Sequence, residues 1–240
     1  DQKVLEDRFQ LNGRSGITNE FLGYASRGVE GGGFLYTNKD TVSIGLVLGL
    51  KDLRDKGIKP YDILTDFKAH PAVADMIQGG EVVEYSAHIV SSGDMRAMPN
   101  EIYTDGVLVA GEAANLLLNA GKAIQGMDYA IRSGILAAET IAKAKEKNDF
   151  SKATLKSYRD ALEDSYVMKD LRTFQDAVHV LHSPQMFENV PNLICDFGRQ
   201  FFTIKNEPTK KSREMLFGAI KRHSSFWDLA KLGFKAGKSL

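Results

Sequence analysis

Two short stretches of this 240-residue chain carry residue types whose order and spacing could hold a bound group. The first is Val107-Leu108-Val109-Ala110-Gly111-Glu112-Ala113-Ala114, an apolar run that stops abruptly in a glycine and a carboxylate. The second follows after a short spacer: Gly126-Met127-Asp128, then Ala130-Ile131 and Ser133-Gly134, which reads as a long helix with a glycine-marked start. Such an arrangement can place an acidic side chain at the carboxyl end of a strand. It also leaves unpaired helix N–H groups facing whatever binds there. Gly111-Glu112 alone is equally a strand ending in a turn with a surface acid. The spacing to Gly126 and Gly134 is what turns it into a candidate contact.

Other chemistries find less support. His179 and His182 lie one helical turn apart, but no acid or cysteine stands at ligand spacing to complete a metal site. His70 precedes a proline and reads as a helix end, and His88 alternates on a predicted strand. Neither belongs to a nucleophile–base arrangement, so no catalytic residue is assigned. Cys195 is the single cysteine, which excludes a disulfide framework or an iron–sulfur cluster built from this chain alone. Its apolar neighbours read as those of a buried small hydrophobe.

With 43% hydrophobic and 26% charged residues the composition is that of an ordinary globular protein. The formal net charge is zero, which argues against nucleic acid as a partner. That neutrality conceals an asymmetry. Residues 205–240 carry nine Lys or Arg against three acids, a net of +6 on an otherwise acidic body. A basic, apolar-rich tail suits a membrane surface or an acidic partner. Ser225 to Lys238, with Trp227, Phe226, Phe234, Lys231, Lys235 and Lys238, reads either as an interfacial amphipathic helix or as a helix packed on its own domain. No run of about 18 apolar residues or signal-peptide pattern is present. The start at Asp1 without methionine reads as a cut in a longer polypeptide.

The elements that must position these residues follow from periodicity and punctuation. Residues 31–49 read as a hairpin around Asn38-Lys39-Asp40, with Val42, Ile44, Leu46 and Leu48 alternating. Tyr61 to Lys68 is predicted as a helix between Pro60 and His70-Pro71, and Glu81 to Val90 as a strand. Val107 to Ala110 is predicted as a parallel-type strand whose sheet neighbours come from elsewhere, most simply from residues preceding Asp1. From Met127 a helix carries one apolar stripe through Ala130, Ile131, Gly134, Ile135, Ala138, Ile141 and Ala142, with small residues that suit close approach to a sheet. Ser151 caps a further helix expected to run to about His182 and end at Ser183-Pro184, and shorter amphipathic helices follow. The expected division is 1–100, 101–148 and 149–240: a substrate-type domain part, a strand–loop–helix and a helical region.

The order Val107–Ala114 then Gly126–Gly134 resembles the second FAD-contacting motif of glutathione-reductase-like flavoproteins. With Gly32-Gly33-Phe34-Leu35-Tyr36, Phe67 to Pro71, Glu84 to His88 and Leu193 to Pro208, the chain resembles the FixC-type flavoproteins, relatives of electron-transfer-flavoprotein–ubiquinone oxidoreductase. The resemblance covers the family's C-terminal portion only. The Gly-x-Gly-x-x-Gly that would hold the FAD pyrophosphate occurs nowhere in the 240 residues.

The resemblance implies a mixed α+β / α/β fold, the C-terminal part of a glutathione-reductase-like FAD flavoprotein. It comprises substrate/quinone-domain strands, the last FAD-domain strand–helix and a C-terminal helical region. It implies FAD contacts at Gly111, Glu112, Ala113, Gly126 and Met127, with Glu112 where aspartate is usual and Asn115 where glycine is common. It implies a quinone or substrate surface drawn from Gly32, Gly33, Phe34 and Tyr36, unless that hairpin is simply buried in its sheet. The implied partners are an electron-transfer flavoprotein, a separate ferredoxin-like iron–sulfur subunit, a quinone and a membrane surface. The implied location is the cytoplasm, peripheral on the inner face of the cell membrane. The expected activity is FAD-dependent electron transfer, with this chain inactive alone. A geranylgeranyl-reductase-like flavoprotein and a non-catalytic docking or membrane-contact module stay open as alternatives.

Overall fold

The computed structural model of the chain describes residues 1–121, 124–183 and 185–240. It is a mixed α/β structure, rich in helix, with small antiparallel sheets. In chain order, α1 (Gln2–Phe9), β1 (Thr18–Phe21), β2 (Gly31–Thr37) and β3 (Val42–Leu48) are followed by α2 (Leu50–Lys56), α3 (Pro60–Ala69) and α4 (Pro71–Ile77). Then come β4 (Tyr103–Thr104), β5 (Val107–Leu108), β6 (Leu118–Asn119), β7 (Ile124–Gln125) and the long α5 (Met127–Glu146). The rest is helical: α6 (Lys152–Asp164), α7 (Tyr166–Thr173), α8 (Ala177–Leu181), α9 (Val190–Phe202), α10 (Ser212–His223) and α11 (Phe226–Ser239). The chain forms two compact units, Asp1–Ser86 with Ser183–Leu229, and Ala87–His182 with Ala230–Leu240.

In the first unit β1, β2 and β3 form an antiparallel sheet in sequence order. The expected hairpin is present, closed by Asn38, whose N–H donates to the Thr41 carbonyl. Its register decides which side chains share a face. Gly33 and Leu35 pair with Leu46 and Ile44, and this face is covered by Phe67 of α3. A Cβ on Gly33 would stand 2.5 Å from the Phe67 ring, so the ring occupies the space that a side chain would need. On the other face Phe34 lies across Gly45, where a Cβ would again meet a ring atom at 2.5 Å. Glycine opposite an aromatic ring on the neighbouring strand is a packing device. The helix predicted after Pro60 is α3, and His70 both ends it and caps α4, its Nδ1 accepting from the Ala72 N–H at 3.2 Å. At the other end of the unit Asp196 on α9 accepts from Arg222 Nε at 2.8 Å and contacts His223 Nε2 at 3.1 Å, tying α9 to α10. The Arg222 guanidinium holds the Asp196 carboxyl below the usual carboxylate range.

The second unit is built around Tyr129 and Leu136 of α5, Tyr158 and Leu162 of α6, and Met168 and Leu171 of α7, together with Ile102, Leu116 and Leu118. Burying each such leucine contributes about 1.5–3 kcal/mol. Ser151 caps α6 as expected, its Oγ accepting from the Thr154 N–H.

Five expectations need correction. Glu81 to Val90 forms no strand; the segment carries no regular secondary structure and is largely exposed, because alternation specifies a face but supplies no ladder partner. Val107–Leu108 pairs antiparallel with Tyr103–Thr104 rather than awaiting parallel neighbours, since Asp105-Gly106 provides a two-residue turn with Gly106 at φ +71°. The helix from Ser151 does not reach His182: it breaks at Ser165, in extended backbone with its Oγ donating to the Leu162 carbonyl, and again between Thr173 and Ala177. Of the stop at Ser183-Pro184, Pro184 lies outside the described residues. Cys195 is exposed, because α9 buries none of its residues. Finally, the apolar stripe of α5 is not the face that packs. The buried residues are Tyr129, Ser133, Leu136, Thr140 and Ala144, on the opposite side of the helix.

Candidate functional site

Gly111 ends the β5 segment with φ +62°, a left-handed conformation that favours glycine. A Cβ there would lie 3.2 Å from the Cβ of Ala130, so the strand end is seated directly against the first turns of α5. Two hydrogen bonds fix it. The Gly111 N–H donates to Ser133 Oγ at 2.9 Å, and that hydroxyl donates to the Ala130 carbonyl at 3.0 Å. Two residues earlier the Val109 carbonyl accepts from the Tyr158 hydroxyl at 2.9 Å. Ser133 and Tyr158 are both buried, so each bond lies where losing a partner costs about 1–3 kcal/mol.

Beyond Gly111 the chain makes a single 3-10 turn, Gly111–Ala114. Ala114 is buried, while Glu112 and Ala113 are exposed. The turn closes on Asn115 at φ +55°, ψ +35°. Glycine reaches that region freely and asparagine is among the residues that tolerate it, which accounts for asparagine at a position where the resemblance expects glycine. Its Nδ2 donates to the Asp94 carbonyl at 2.7 Å.

Gly126 precedes α5, and a Cβ there would stand 2.4 Å from Leu117 Cδ2. Among the described residues no side chain caps the helix at this point. The first-turn N–H groups of a 20-residue helix are thus left without a side-chain acceptor, with Met127 exposed beside them. Asp128, in that turn, accepts from Gln125 Nε2 at 2.7 Å. Gly111 and Gly126 share this end of the helix, since Ala130 touches the first and donates its N–H to the carbonyl of the second at 2.8 Å. Gly111, Gly126 and Met127 are therefore brought together, and Glu112 and Ala113 extend from the same corner into solvent. The arrangement can present N–H groups, a positive dipole end and a carboxylate to a ligand.

The hairpin candidates divide by register. Gly32, Phe34 and Tyr36 share one face, opposite Val47, Gly45 and Ser43. Phe34 and Tyr36 stack at 5.6 Å, and Leu22 approaches Gly32. Gly33 stands on the other face under Phe67. Among the described residues no group of three or more His, Cys, Asp or Glu is placed to hold a metal ion. Ser133 and Tyr158 are the residues that sequence reasoning missed as positioning groups. The only signal was the small size of Ser133 on the helix.

Comparison with known proteins identifies the family. Residues 10–90 match the family model described as ETF-QO, ubiquinone-binding, and residues 177–240 match that of the ETF-QO/FixC family C-terminal domain. The chain belongs to the ETF-QO/FixC family. It is 44% identical over 237 residues to Protein FixC of Escherichia coli strain K12, covering 98% of this chain and 54% of that protein. It is 39% identical over 236 residues to the Probable electron transfer flavoprotein-quinone oxidoreductase YdiS of the same organism, with the same coverage of each. Protein FixC of Azorhizobium caulinodans is 35% identical over 229 residues, 94% of this chain and 52% of the relative. The chain thus spans about half the length of the curated relatives it matches. The corner at Gly111 and Gly126 lies between the two segments matched by the family models.

Two tyrosines beneath the corner carry a pH signature. Burial pushes the Tyr158 hydroxyl up to about 12. Burial, with the Asp170 carboxylate that accepts from its hydroxyl at 3.0 Å, pushes Tyr129 up as well. Their neutral forms are favoured in the folded chain, so the stability they contribute is complete below the unfolded tyrosine value of about 10 and is lost as pH rises from there through about 12. Ultraviolet titration of the folded chain should show a tyrosine fraction that ionises only above pH 11 and that shrinks in Tyr158→Phe. Ionisation of every tyrosine near pH 10 in a still-folded chain would refute this.

Proposed function

We propose that these residues form the quinone-side and flavin-edge portion of an FAD-dependent oxidoreductase that passes electrons from an electron-transfer flavoprotein towards a quinone. The observation that carries the reading is the corner itself, with Gly111 seated on α5 next to an uncapped helix N-terminus, in a chain of the ETF-QO/FixC family. The residues present fit one edge of a flavin. FAD, when bound, supplies the redox chemistry. The first-turn N–H groups at Met127 would support negative charge on the flavin's N1 and O2 edge, worth roughly 0.3–2 kcal/mol for a helix terminus. Glu112 would accept hydrogen bonds from ribityl hydroxyls, and Ala113 leaves room beside it. The pyrophosphate contacts of a Gly-x-Gly-x-x-Gly loop have no counterpart in these residues, so this chain alone is expected to be inactive.

For the quinone, support comes from the face of β2 that carries Gly32, Phe34 and Tyr36, apolar and in the segment matched by the ubiquinone-binding model. Gly33 would act from behind, by admitting Phe67. One cysteine cannot hold a cluster within these 240 residues, which supports placing any iron–sulfur relay on a separate ferredoxin-like subunit. A peripheral position on the cytoplasmic face of the cell membrane is favoured by exposed Phe201, Phe202, Ile204 and Trp227, in a stretch of the chain that also carries Lys205, Lys210, Lys211 and Arg213. No helix among the described residues is long and apolar enough to cross a membrane.

Two measurements test the reading. In the oxidoreductase assembled around this chain, Phe34→Ala and Tyr36→Ala should each raise the KM for a short-chain quinone about tenfold, a loss of about 1.4 kcal/mol, without slowing flavin reduction by the donor. An unchanged KM in both variants removes this face from the quinone site. The chain should also co-sediment with vesicles containing anionic phospholipid and be released at about 1 M salt, where the Debye length is about 3 Å. Failure to bind, or equal binding to neutral vesicles at every salt concentration, would rule out the membrane role.

A further inference from the structure

The turn that leads into β2 is held more tightly than the strand end it starts. β1 stops at Phe21, opposite Gly33, so among the described residues Gly31 and Gly32 pair with β3 alone, opposite Leu48 and Val47. A glycine-rich strand end with a single neighbour specifies its register weakly, and a one-residue slip would turn every side chain of β2 to the other face. The turn before it supplies what the strand lacks. Arg27, Gly28 and Gly31 lie at φ +52°, +75° and +134°, and such backbone persists only where the surroundings over-determine it. Val29 is fully buried in one cluster with Leu53 and Ile63. The Glu30 N–H donates to Asp52 Oδ2 at 3.0 Å, and the Glu30 carbonyl accepts from the Gly49 N–H at 2.8 Å. The Gly28 carbonyl accepts from Lys56 Nζ. Asp52 and Lys56 stand one turn apart on α2 and pair at 3.5 Å, so one ion pair grips the turn by both a backbone donor and a backbone acceptor.

A third group completes the grip. Glu188 Oε1 lies 3.9 Å from Lys56 Nζ, and a Cβ on Gly28 would stand 3.0 Å from the same oxygen. Glu188 belongs to a single π-helical turn, Gln185–Asn189, a rare geometry that recurs at functional sites. The gripped turn and α2 fall in the segment matched by the ubiquinone-binding model and Glu188 in that matched by the C-terminal model, all within the first unit. We propose, resting on the quinone reading of the β2 face, that Asp52 and Lys56 are positioning residues for the quinone. They touch no substrate. Through the Glu30 N–H and the Gly28 carbonyl they set the register in which Gly32, Phe34 and Tyr36 present that face. Their side chains are 34% and 37% exposed, so water screens the ion pair itself, and its effect lies in the two backbone hydrogen bonds it orients.

In the oxidoreductase assembled around this chain, Asp52→Ala and Lys56→Met should each raise the KM for a short-chain quinone about fivefold while flavin reduction by the donor keeps its rate, the pattern of weakened binding. Asp52→Asn retains an oxygen to accept from the Glu30 N–H and should recover most of the loss. Lys51→Ala, on the same helix but paired with Asp55 at 2.6 Å, should leave KM unchanged. In the 240-residue chain, hydrogen exchange at the Glu30 to Gly32 amides should quicken about tenfold in Asp52→Ala and in Lys56→Met. Lys56→Met decides alone if Asp52→Ala does not fold. A wild-type KM in these variants overturns the proposal. If Phe34→Ala and Tyr36→Ala still raise KM, the quinone face stands and only its positioning by α2 is wrong; if they too have no effect, the quinone reading has failed with it. Unchanged amide exchange overturns the proposal whatever the KM, and so does a KM increase that Lys51→Ala reproduces.

Discussion

The hydrogen bond from the Gly111 N–H to Ser133 Oγ is the contact on which the corner depends. It joins the end of an apolar segment to a helix 22 residues further along the chain, and it is buried. Ser133 can serve because it also donates to the Ala130 carbonyl, so its hydroxyl is satisfied in both roles. Gly111 can serve because it has no Cβ to collide with Ala130 and tolerates a positive φ. The Tyr158 hydroxyl holds the Val109 carbonyl from the α6 side, so the backbone just before the turn is fixed between two helices. Glu112 and Ala113 then project from a rigid base, and the uncapped start of α5 lies one turn away.

The same economy governs the β1–β2–β3 sheet. Two glycines on adjacent strands, Gly33 and Gly45, each receive an aromatic ring, from Phe67 on one face and Phe34 on the other. The Phe34 ring is thereby laid flat beside Tyr36, making a broad apolar surface from few residues. The glycine-rich run shapes a platform by what it lets its neighbours do.

Much of this was legible in the sequence, for identifiable reasons. Pro60, His70-Pro71 and Ser151 punctuate helices by local chemistry that tertiary structure did not override. The hairpin was written in alternation and in Asn38. Gly111 and Gly126 stood out because abrupt glycines at element ends carry backbone meaning. What failed was anything needing knowledge of a partner. The hydropathy of α5 pointed to Ile131 and Ile135 as the packed side, whereas the buried side holds three hydroxyl residues whose donors are all met: Tyr129 by Asp170, Ser133 by Ala130 and Thr140 by Leu136. A satisfied polar face buries well, and no single-sequence pattern announces that satisfaction. Glu81 to Val90 failed for the complementary reason, since its alternation describes a strand that the described residues leave unpaired. Tyr158 gave no sign of its role because the carbonyl it holds lies 49 positions away.

The most direct test of the flavin-edge assignment is the visible absorption spectrum after incubation with FAD and removal of unbound flavin. It would be taken on this chain alone and on the chain paired with the portion of E. coli Protein FixC that it does not span. The account predicts a colourless chain alone and a retained, protein-perturbed flavin band in the pair. A flavin band held by the 240 residues unaided would show that the corner at Gly111 and Gly126 is a complete site, and a colourless pair would show that it is not a flavin edge.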